Sequence, residues 1–353
     1  MGARIAIVCA GAVGGYAGAH MAQAGEDVIF VDFWPENVET IRSKGLRISH
    51  LRDVPEFTTP ARALHVTELQ QLSKERPIDI AFVCTKSYDT AWATMMIRQY
   101  LAPGGFMVSL QNCMNEETIA GVVGWGKTLG SIASSITVEL CEPGHVRRAG
   151  GKHGAAHTVF RVGEVHGLIT DRAKEVCRLL ALADSAMVTE NLWGERWSKL
   201  VINAMGNGVS ACTGLISRDI LLDDGLRHFT ARLGSEAIRV GQALGYELEE
   251  IIHLDPEIIA RAGEGDAAAT HTYDEHRLKE VSGGGGEHRP SMGQDMVKGR
   301  RTEIEFLNGM VAKKGDEIGI ATPANVVLTD IVKRVERGDL KPDPRHITDL
   351  RLN

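Results

Sequence analysis

The sequence predicts an α/β protein: an N-terminal Rossmann-type doubly wound domain followed by an all-α C-terminal domain. Three observations carry this. The chain opens on an apolar run that breaks into a glycine-rich turn and then a small-residue helix. Further short apolar runs, each ending in polar residues, recur through the first half. After Val188-Thr189-Glu190 the pattern changes to amphipathic helix, so the boundary falls near residue 190. The expected division is a dinucleotide-binding domain over 1–190 and a helical substrate and catalytic domain over 191–353.

The first element is Arg4-Ile5-Ala6-Ile7-Val8, a continuous apolar run expected of a central parallel strand buried on both faces. Cys9-Ala10-Gly11-Ala12-Val13-Gly14-Gly15 turns into a helix, and a second apolar strand, Asp27 to Val31, ends at Asp32. Strand, glycine turn, helix, strand and terminal acid fit a βαβ dinucleotide-binding unit. Gly11 lets the backbone approach a pyrophosphate, Gly14 lets the helix pack close, and Ala12 and Val13 open the helix whose N–H groups face the phosphates. Asp32 is placed to accept ribose hydroxyls and repel a 2′-phosphate. With Phe33 beside it and no basic residue before Arg42, NAD is expected rather than NADP. A strand-end acid capping the next helix has the same appearance.

Ile78 to Cys84 forms another buried strand leading into Thr85-Lys86-Ser87, and Phe106 to Leu110 another leading into Gln111-Asn112-Cys113. Side chains just past the carboxyl ends of such strands face the ligand crevice. Lys86 there meets cofactor phosphates or a substrate carboxylate, and Asn112 meets a nicotinamide or ribose edge or caps the following helix. Strands are expected over Thr128–Glu139 and Thr158–Gly163, with a loop at Gly150-Gly151-Lys152-His153-Gly154 and a helix over Arg172–Leu182.

The helical half is read as 191–212, 217–222, 224–244, 292–318 and 323–337. In its first helix Lys199, Asn203 and Asn207 recur every fourth position, about 40° apart around the axis, and form one polar stripe. Leu200, Val201, Ile202, Ala204 and Met205 occupy the other sides. A solvent-facing stripe looks alike in isolation; buried, those groups need polar partners. Residues 263–288 are rich in Gly, Asp and His and are expected to be a loop, covering the substrate or inserted at the surface. The spacings of His253, His271, His276 and His288 match no metal signature. Ser291 is expected to cap the next helix, in which Glu303 and Asn308 lack an obvious packing role.

Composition narrows the class. A net charge of −7 supplies no basic footprint for nucleic acid or anionic membrane. Six scattered cysteines without a C-x-x-C pair suit reduced thiols in a cytoplasm. Neither a signal peptide nor a bilayer-length apolar segment is read, so the expected location is cytoplasmic. The long helices of the second domain are compatible with a homodimer.

Together these residues resemble the ketopantoate reductase (2-dehydropantoate 2-reductase) family. The resemblance is carried by the glycine turn, Thr85-Lys86, Leu110-Gln111-Asn112, Trp197-Ser198-Lys199-Leu200 with Asn203 and Asn207, Pro290-Ser291-Met292 with Gln294-Asp295, Thr302-Glu303-Ile304-Glu305 with Asn308-Gly309, and Thr322-Pro323-Ala324-Asn325. It implies that Lys199 is the general acid/base and that Glu303 holds the substrate hydroxyl and organises Lys199. Asn203, Asn207 and Ser291 are implied to bind substrate, and Lys86 and Asn112 to sit where substrate and cofactor meet. The chemistry agrees. Hydride added to a carbonyl carbon leaves charge on oxygen, which a positioned ammonium neutralises and protonates. An apolar helix in an interdomain cleft would lower the amine's pKa toward operating pH.

Three departures from the family pattern stand out: Cys9 for the first glycine of the turn, Cys113 for a glycine after Gln111-Asn112, and Asp32-Phe33 where NADPH-using members tend to carry arginine. The expected function is therefore hydride transfer between a nicotinamide, NAD favoured, and a 2-oxo/2-hydroxy acid or related secondary alcohol. NADPH-linked reduction of 2-dehydropantoate is the alternative within the family. A non-catalytic NAD-sensing protein is the alternative outside it, and it has no need of both Lys199 and Glu303.

Overall fold

The computed structural model describes residues 2–51, 54–134, 136–149 and 157–351. The chain divides into two compact units, Met1–Leu192 and Trp193–Asn353. The expected Gly150–Gly154 loop lies outside the described residues.

In the first unit the elements are β1 (Arg4–Val8), α1 (Ala12–Gln23), β2 (Asp27–Asp32), α2 (Pro35–Lys44), β3 (Leu46–His50), β4 (Phe57–Thr59), β5 (Arg62–His65), β6 (Ile78–Val83), α3 (Thr90–Ile97), β7 (Leu101–Ser109), α4 (Glu116–Val123), β8 (Thr128–Ala133), β9 (Val138–Glu142), β10 (His145–Arg148), β11 (Phe160–Glu164), α5 (Asp171–Ala181) and β12 (Ala186–Thr189). An eight-stranded sheet runs β12-β11-β8-β7-β6-β1-β2-β5. Its pairings are parallel except β8 with β11. Alternation along β1 explains its unbroken apolarity: Ile5 and Ile7 enter one core, Ala6 and Val8 the core on the opposite face. The chain leaves β1 toward β2 on one side and returns to β6 on the other. The carboxyl end of β1 is therefore the topological switch point where such sheets bind ligands.

The sequence predicts strand continuing from Thr128 to Glu139. The chain instead leaves the main sheet after Ala133, and β9 joins a separate sheet of order β4-β3-β10-β9. Buried Arg148 ties this smaller sheet to the rest of the unit through Tyr16 Oη at 2.9 Å and the Asp184 carboxylate at 2.5 Å.

The second unit consists of α6 (Leu192–Thr213, entered from the last residue of the first unit), α7 (Ser217–Leu222), α8 (Asp224–Ala243), α9 (Pro256–Gly263), α10 (Ala267–Ser282), α11 (Ser291–Val297), α12 (Asn308–Ile318), α13 (Pro323–Glu336) and α14 (Arg345–Thr348). Two expectations are corrected. Most of the anticipated 263–288 loop is helix α10: Asp266 caps it by accepting the Ala269 N–H at 2.8 Å, and three alanines start it. Tyr273 anchors that helix, buried against Thr230 Oγ1 at 2.8 Å. The single helix expected over 292–318 is two, because Gly299 takes φ +62° and a 3₁₀ turn at Ile304–Phe306 intervenes.

Buried polar side chains lock this unit. The Glu236 carboxylate accepts from the Ala324 and Asn325 N–H groups, each at 3.0 Å, and from Asn325 Nδ2 at 2.8 Å. Asn308 Nδ2 donates to the Ala204 carbonyl and to Asn325 Oδ1, both at 2.9 Å. Trp197 Nε1 donates to the Ala237 carbonyl at 2.8 Å, fixing α6 against α8. Asn308, which had no packing role in sequence, is thus a structural tie.

Candidate active site

The first unit gathers its predicted residues at the carboxyl ends of β1, β2 and β6. The turn begins with Cys9 at φ +80°, a left-handed conformation that costs a residue with Cβ about 1–2 kcal/mol. Cys113, the second residue standing for a glycine, has φ +69°. Both departures therefore keep the backbone that glycine serves. Gly14 is required by packing, since a Cβ there would lie 2.5 Å from the Cys9 carbonyl oxygen and 2.8 Å from Cys84 Cβ. At Gly11 a Cβ would touch only Cys9 Sγ, at 3.5 Å. The fold therefore has room for a side chain at Gly11. Gly11 caps α1 without a side-chain bond and the first turn carries no acid, which leaves that helix end suited to an anion.

Asp32 is only 4% exposed, and its carboxylate is already engaged. Oδ2 accepts from the Ala10 N–H at 2.8 Å and Asn37 Nδ2 at 3.1 Å, and Oδ1 accepts from the Trp34 N–H at 2.9 Å. Of roughly four lone-pair sites on a carboxylate, three are used. The acid braces the glycine turn, and Asn37 extends the brace by accepting the Gly144 N–H at 2.8 Å. Sequence reading missed Asn37; five positions past the acid, it was hidden inside an ordinary helix start. Burial, reinforced by the Asp32 and Asp89 carboxylates against Lys86, pushes the Cys9 thiol up to about 12. Lys86 and Asp89 follow β6, the strand beside β1. Arg42 is committed elsewhere, donating to the Ala63 carbonyl at 2.8 Å, to Glu39 at 2.8 Å and to Glu68.

Half-buried Asn112 follows β7, on the strand beside β6. Its neighbour Gln111 stitches the two strand ends together, donating to the Thr85 carbonyl and to Thr90 Oγ1, both at 2.8 Å.

In the second unit α6 carries Lys199, Asn203 and Asn207 on one face, while Trp197, Leu200, Val201, Ala204 and Met205 are buried. Lys199 is half-buried, and desolvation alone lowers its amine below the ordinary lysine value. Asn203 is 8% exposed, and among the described residues its Nδ2 has no hydrogen-bond acceptor. A buried amide in that state calls for an acceptor from outside the chain. Asn207 Nδ2 reaches Ser291 Oγ at 3.5 Å, which joins α6 to a residue 84 positions away. Ser291 was expected to cap α11. Pro290 holds the cap position instead, Ser291 is the first helical residue, and its hydroxyl turns to Asn207. Glu303 is buried at the start of the 3₁₀ turn, where its carbonyl accepts the Phe306 N–H at 2.9 Å.

A Rossmann-type sheet with a ligand-ready glycine turn, followed by a helical unit bearing a desolvated lysine and a buried amide, defines the class: an NAD(P)-dependent oxidoreductase. The chain belongs to the ketopantoate reductase family. Residues 5–158 match the family described as Ketopantoate reductase PanE/ApbA, and residues 191–336 match Ketopantoate reductase PanE/ApbA C terminal. The 2-dehydropantoate 2-reductase of Archaeoglobus fulgidus is 31% identical over 339 residues, covering 95% of this chain and 98% of the relative. Among solved structures, the 2-dehydropantoate 2-reductase of Geobacter metallireducens superposes with a TM-score of 0.72 at 26% identity, covering 94% and 99% of the two chains. D-mandelate dehydrogenase with NADH and anilino(oxo)acetate reaches 0.76 at 23% identity, covering 95% and 99%; that likeness is one of fold. The protein is thus a 2-hydroxyacid dehydrogenase/reductase family enzyme. No described helix is long and apolar enough to cross a membrane.

Proposed function

We propose that the protein moves a hydride between NAD and a 2-oxo/2-hydroxy acid or a related secondary alcohol, with Lys199 as general acid/base. The observation that carries this reading is the α6 stripe: a desolvated amine followed, four residues on, by a buried amide nitrogen with no acceptor among the described residues. A substrate carboxylate or hydroxyl supplies the missing acceptor at Asn203, and Asn207 with Ser291 holds a second oxygen. NAD supplies or takes the hydride at its nicotinamide ring. In reduction the Lys199 ammonium gives a proton to the carbonyl oxygen as charge develops there; in oxidation the neutral amine removes the hydroxyl proton. Glu303 holds the substrate hydroxyl and orients Lys199. Gly11, Ala12, Val13 and Gly14 carry the pyrophosphate, with Lys86 beside it, Asn112 toward the nicotinamide and Asp32 at the ribose.

NAD is favoured over NADP because an acid, Asp32, ends β2 and no basic residue follows it before Arg42. Arg42 is occupied by two carboxylates and a carbonyl, and Asp32 and Asp89 both repel a phosphate. NADPH-linked reduction of 2-dehydropantoate, the activity in the name of the Archaeoglobus relative, is the second reading. A panel of 2-hydroxy acids and pantoate, assayed for NADH and NADPH formation, decides between them. Turnover with pantoate and NADP⁺ alone rejects the first.

A further inference from the structure

The end of α1 farthest from the glycine turn borders a cavity that no step above uses. Its volume is about 580 Å³, within the range of about 300–1,000 Å³ that small-molecule sites occupy. Gly11 caps one end of α1 and Ala24, which lines the cavity, caps the other; at about 1.5 Å per residue the two lie about 20 Å apart. One wall carries Phe57 of β4, His20 of α1 and His50 at the end of β3. The Phe57 and His20 rings have centroids 4.8 Å apart and cross at 61°. Buried Tyr16 stands 4.7 Å from His20 and 6.3 Å from His50, edge-on to both, so the rings brace one another.

The polar character of the cavity is negative. Glu56 lines it, Gln23 adds a carboxamide oxygen, and no lysine or arginine is among the described lining residues. Two helices also end there: Ala24 is the C-cap of α1 and Leu182 that of α5, so the negative ends of both helix dipoles converge on one space. Arg148, whose guanidinium carbon lies 5.4 Å from the Tyr16 ring centroid, adds no net charge because Asp184 pairs with it at 2.5 Å. Arg47 Nη2 donates to Glu56 Oε2 at 2.7 Å, but both side chains are about half exposed, and such a pair holds its carboxylate weakly.

We infer that this cavity binds a small organic ammonium ion with an aromatic or alkyl body. The ammonium group suits the carboxylate, the carboxamide oxygen and the two helix ends, and the body suits Phe57, Pro55 and Leu182. Aromatic faces attract a cation further. An anion would meet Glu56 and both helix C-termini, and a neutral alcohol of the same shape would forgo the charge. The same field disfavours a pyrophosphate, so the site is separate from the one that follows β1 and does not depend on the cofactor reading.

The test is calorimetric titration of benzylammonium into the full chain, with benzyl alcohol and benzoate as neutral and anionic probes of like shape. Benzylammonium is expected to bind about tenfold more tightly than benzyl alcohol, and benzoate not measurably. Glu56→Gln should raise the benzylammonium Kd about threefold, and Arg47→Ala, which frees the carboxylate, should lower it by a similar factor. Phe57→Leu should raise it about threefold by removing a ring face. NADH should bind the wild type and all three variants alike and should not displace benzylammonium. Equal affinity for the amine and the alcohol overturns the proposal, as does a Kd that both Glu56→Gln and Arg47→Ala leave unchanged. Competition by NADH overturns it by placing the amine in the cofactor site, and a wild type that does not bind benzylammonium overturns it outright. Glu56 and Arg47 are exposed, so their variants keep the fold and decide the matter should Phe57→Leu fail to fold.

Discussion

The carboxylate of Asp32 accepts the backbone N–H of Ala10 at 2.8 Å, so the acid that ends β2 holds the turn that follows β1. Asp32→Ala would leave the buried Ala10 donor unpaired, at about 1–3 kcal/mol, and release the part-buried Trp34 N–H to water. Thermal unfolding is expected several degrees earlier, together with weaker binding of both NAD and NADP. An Asp32→Ala protein of native stability that merely accepts NADP more readily would show that the brace matters less than the charge.

Lys199→Ala is expected to lower turnover by about 10²–10⁴ while leaving NADH binding in place. Fluorescence of bound NADH measures the second quantity independently of the first. Unchanged turnover removes Lys199 from the mechanism.

Burial lowers the Lys199 amine from its ordinary value, which favours the neutral form. Oxidation needs that neutral amine, so its rate should rise with pH through a midpoint below the lysine reference of about 10.4. Reduction needs the ammonium and should fall across the same interval. Initial rates in both directions check this. The same slope in both directions contradicts the assignment.

Asn203→Ala should raise the substrate KM by about tenfold or more, the effect of losing a buried donor to an oxygen acceptor. Asn203→Asp places a second anion where an acceptor is proposed and should be worse than alanine for an acid substrate. If Asp is the milder change, the group facing Asn203 is a donor and the substrate orientation is wrong.

Removing the Glu236 side chain tests the helical unit rather than the chemistry. Glu236→Ala strips three donors of their acceptor and should cost about 3 kcal/mol or more. A denaturation midpoint equal to wild type means the three groups find water or another partner.

How far the sequence reaches can be read from particular residues. The βαβ unit was legible because burial on both faces demands an unbroken apolar strand and the turn after it demands small residues. The α6 stripe was legible because helical periodicity turns a spacing of four into one face. Helix α10 was not: the glycines on either side of it and the histidines within it read as loop, and the Tyr273–Thr230 contact that anchors it joins residues 43 positions apart. The break at Gly299 was equally hidden, since a glycine within an amphipathic pattern signals nothing until its φ is known.

By itself, then, the sequence determined the first βαβ unit, the change to helix near residue 190, the glycine turn and the polar stripe, because each depends on spacing along the chain. Tertiary structure alone decided that Asp32 spends its lone pairs on Ala10, Trp34 and Asn37, and that Ser291 meets Asn207. It likewise decided that Asn308 is a tie. Those are pairings between distant segments, set by which surfaces can be buried together, and no local periodicity encodes them.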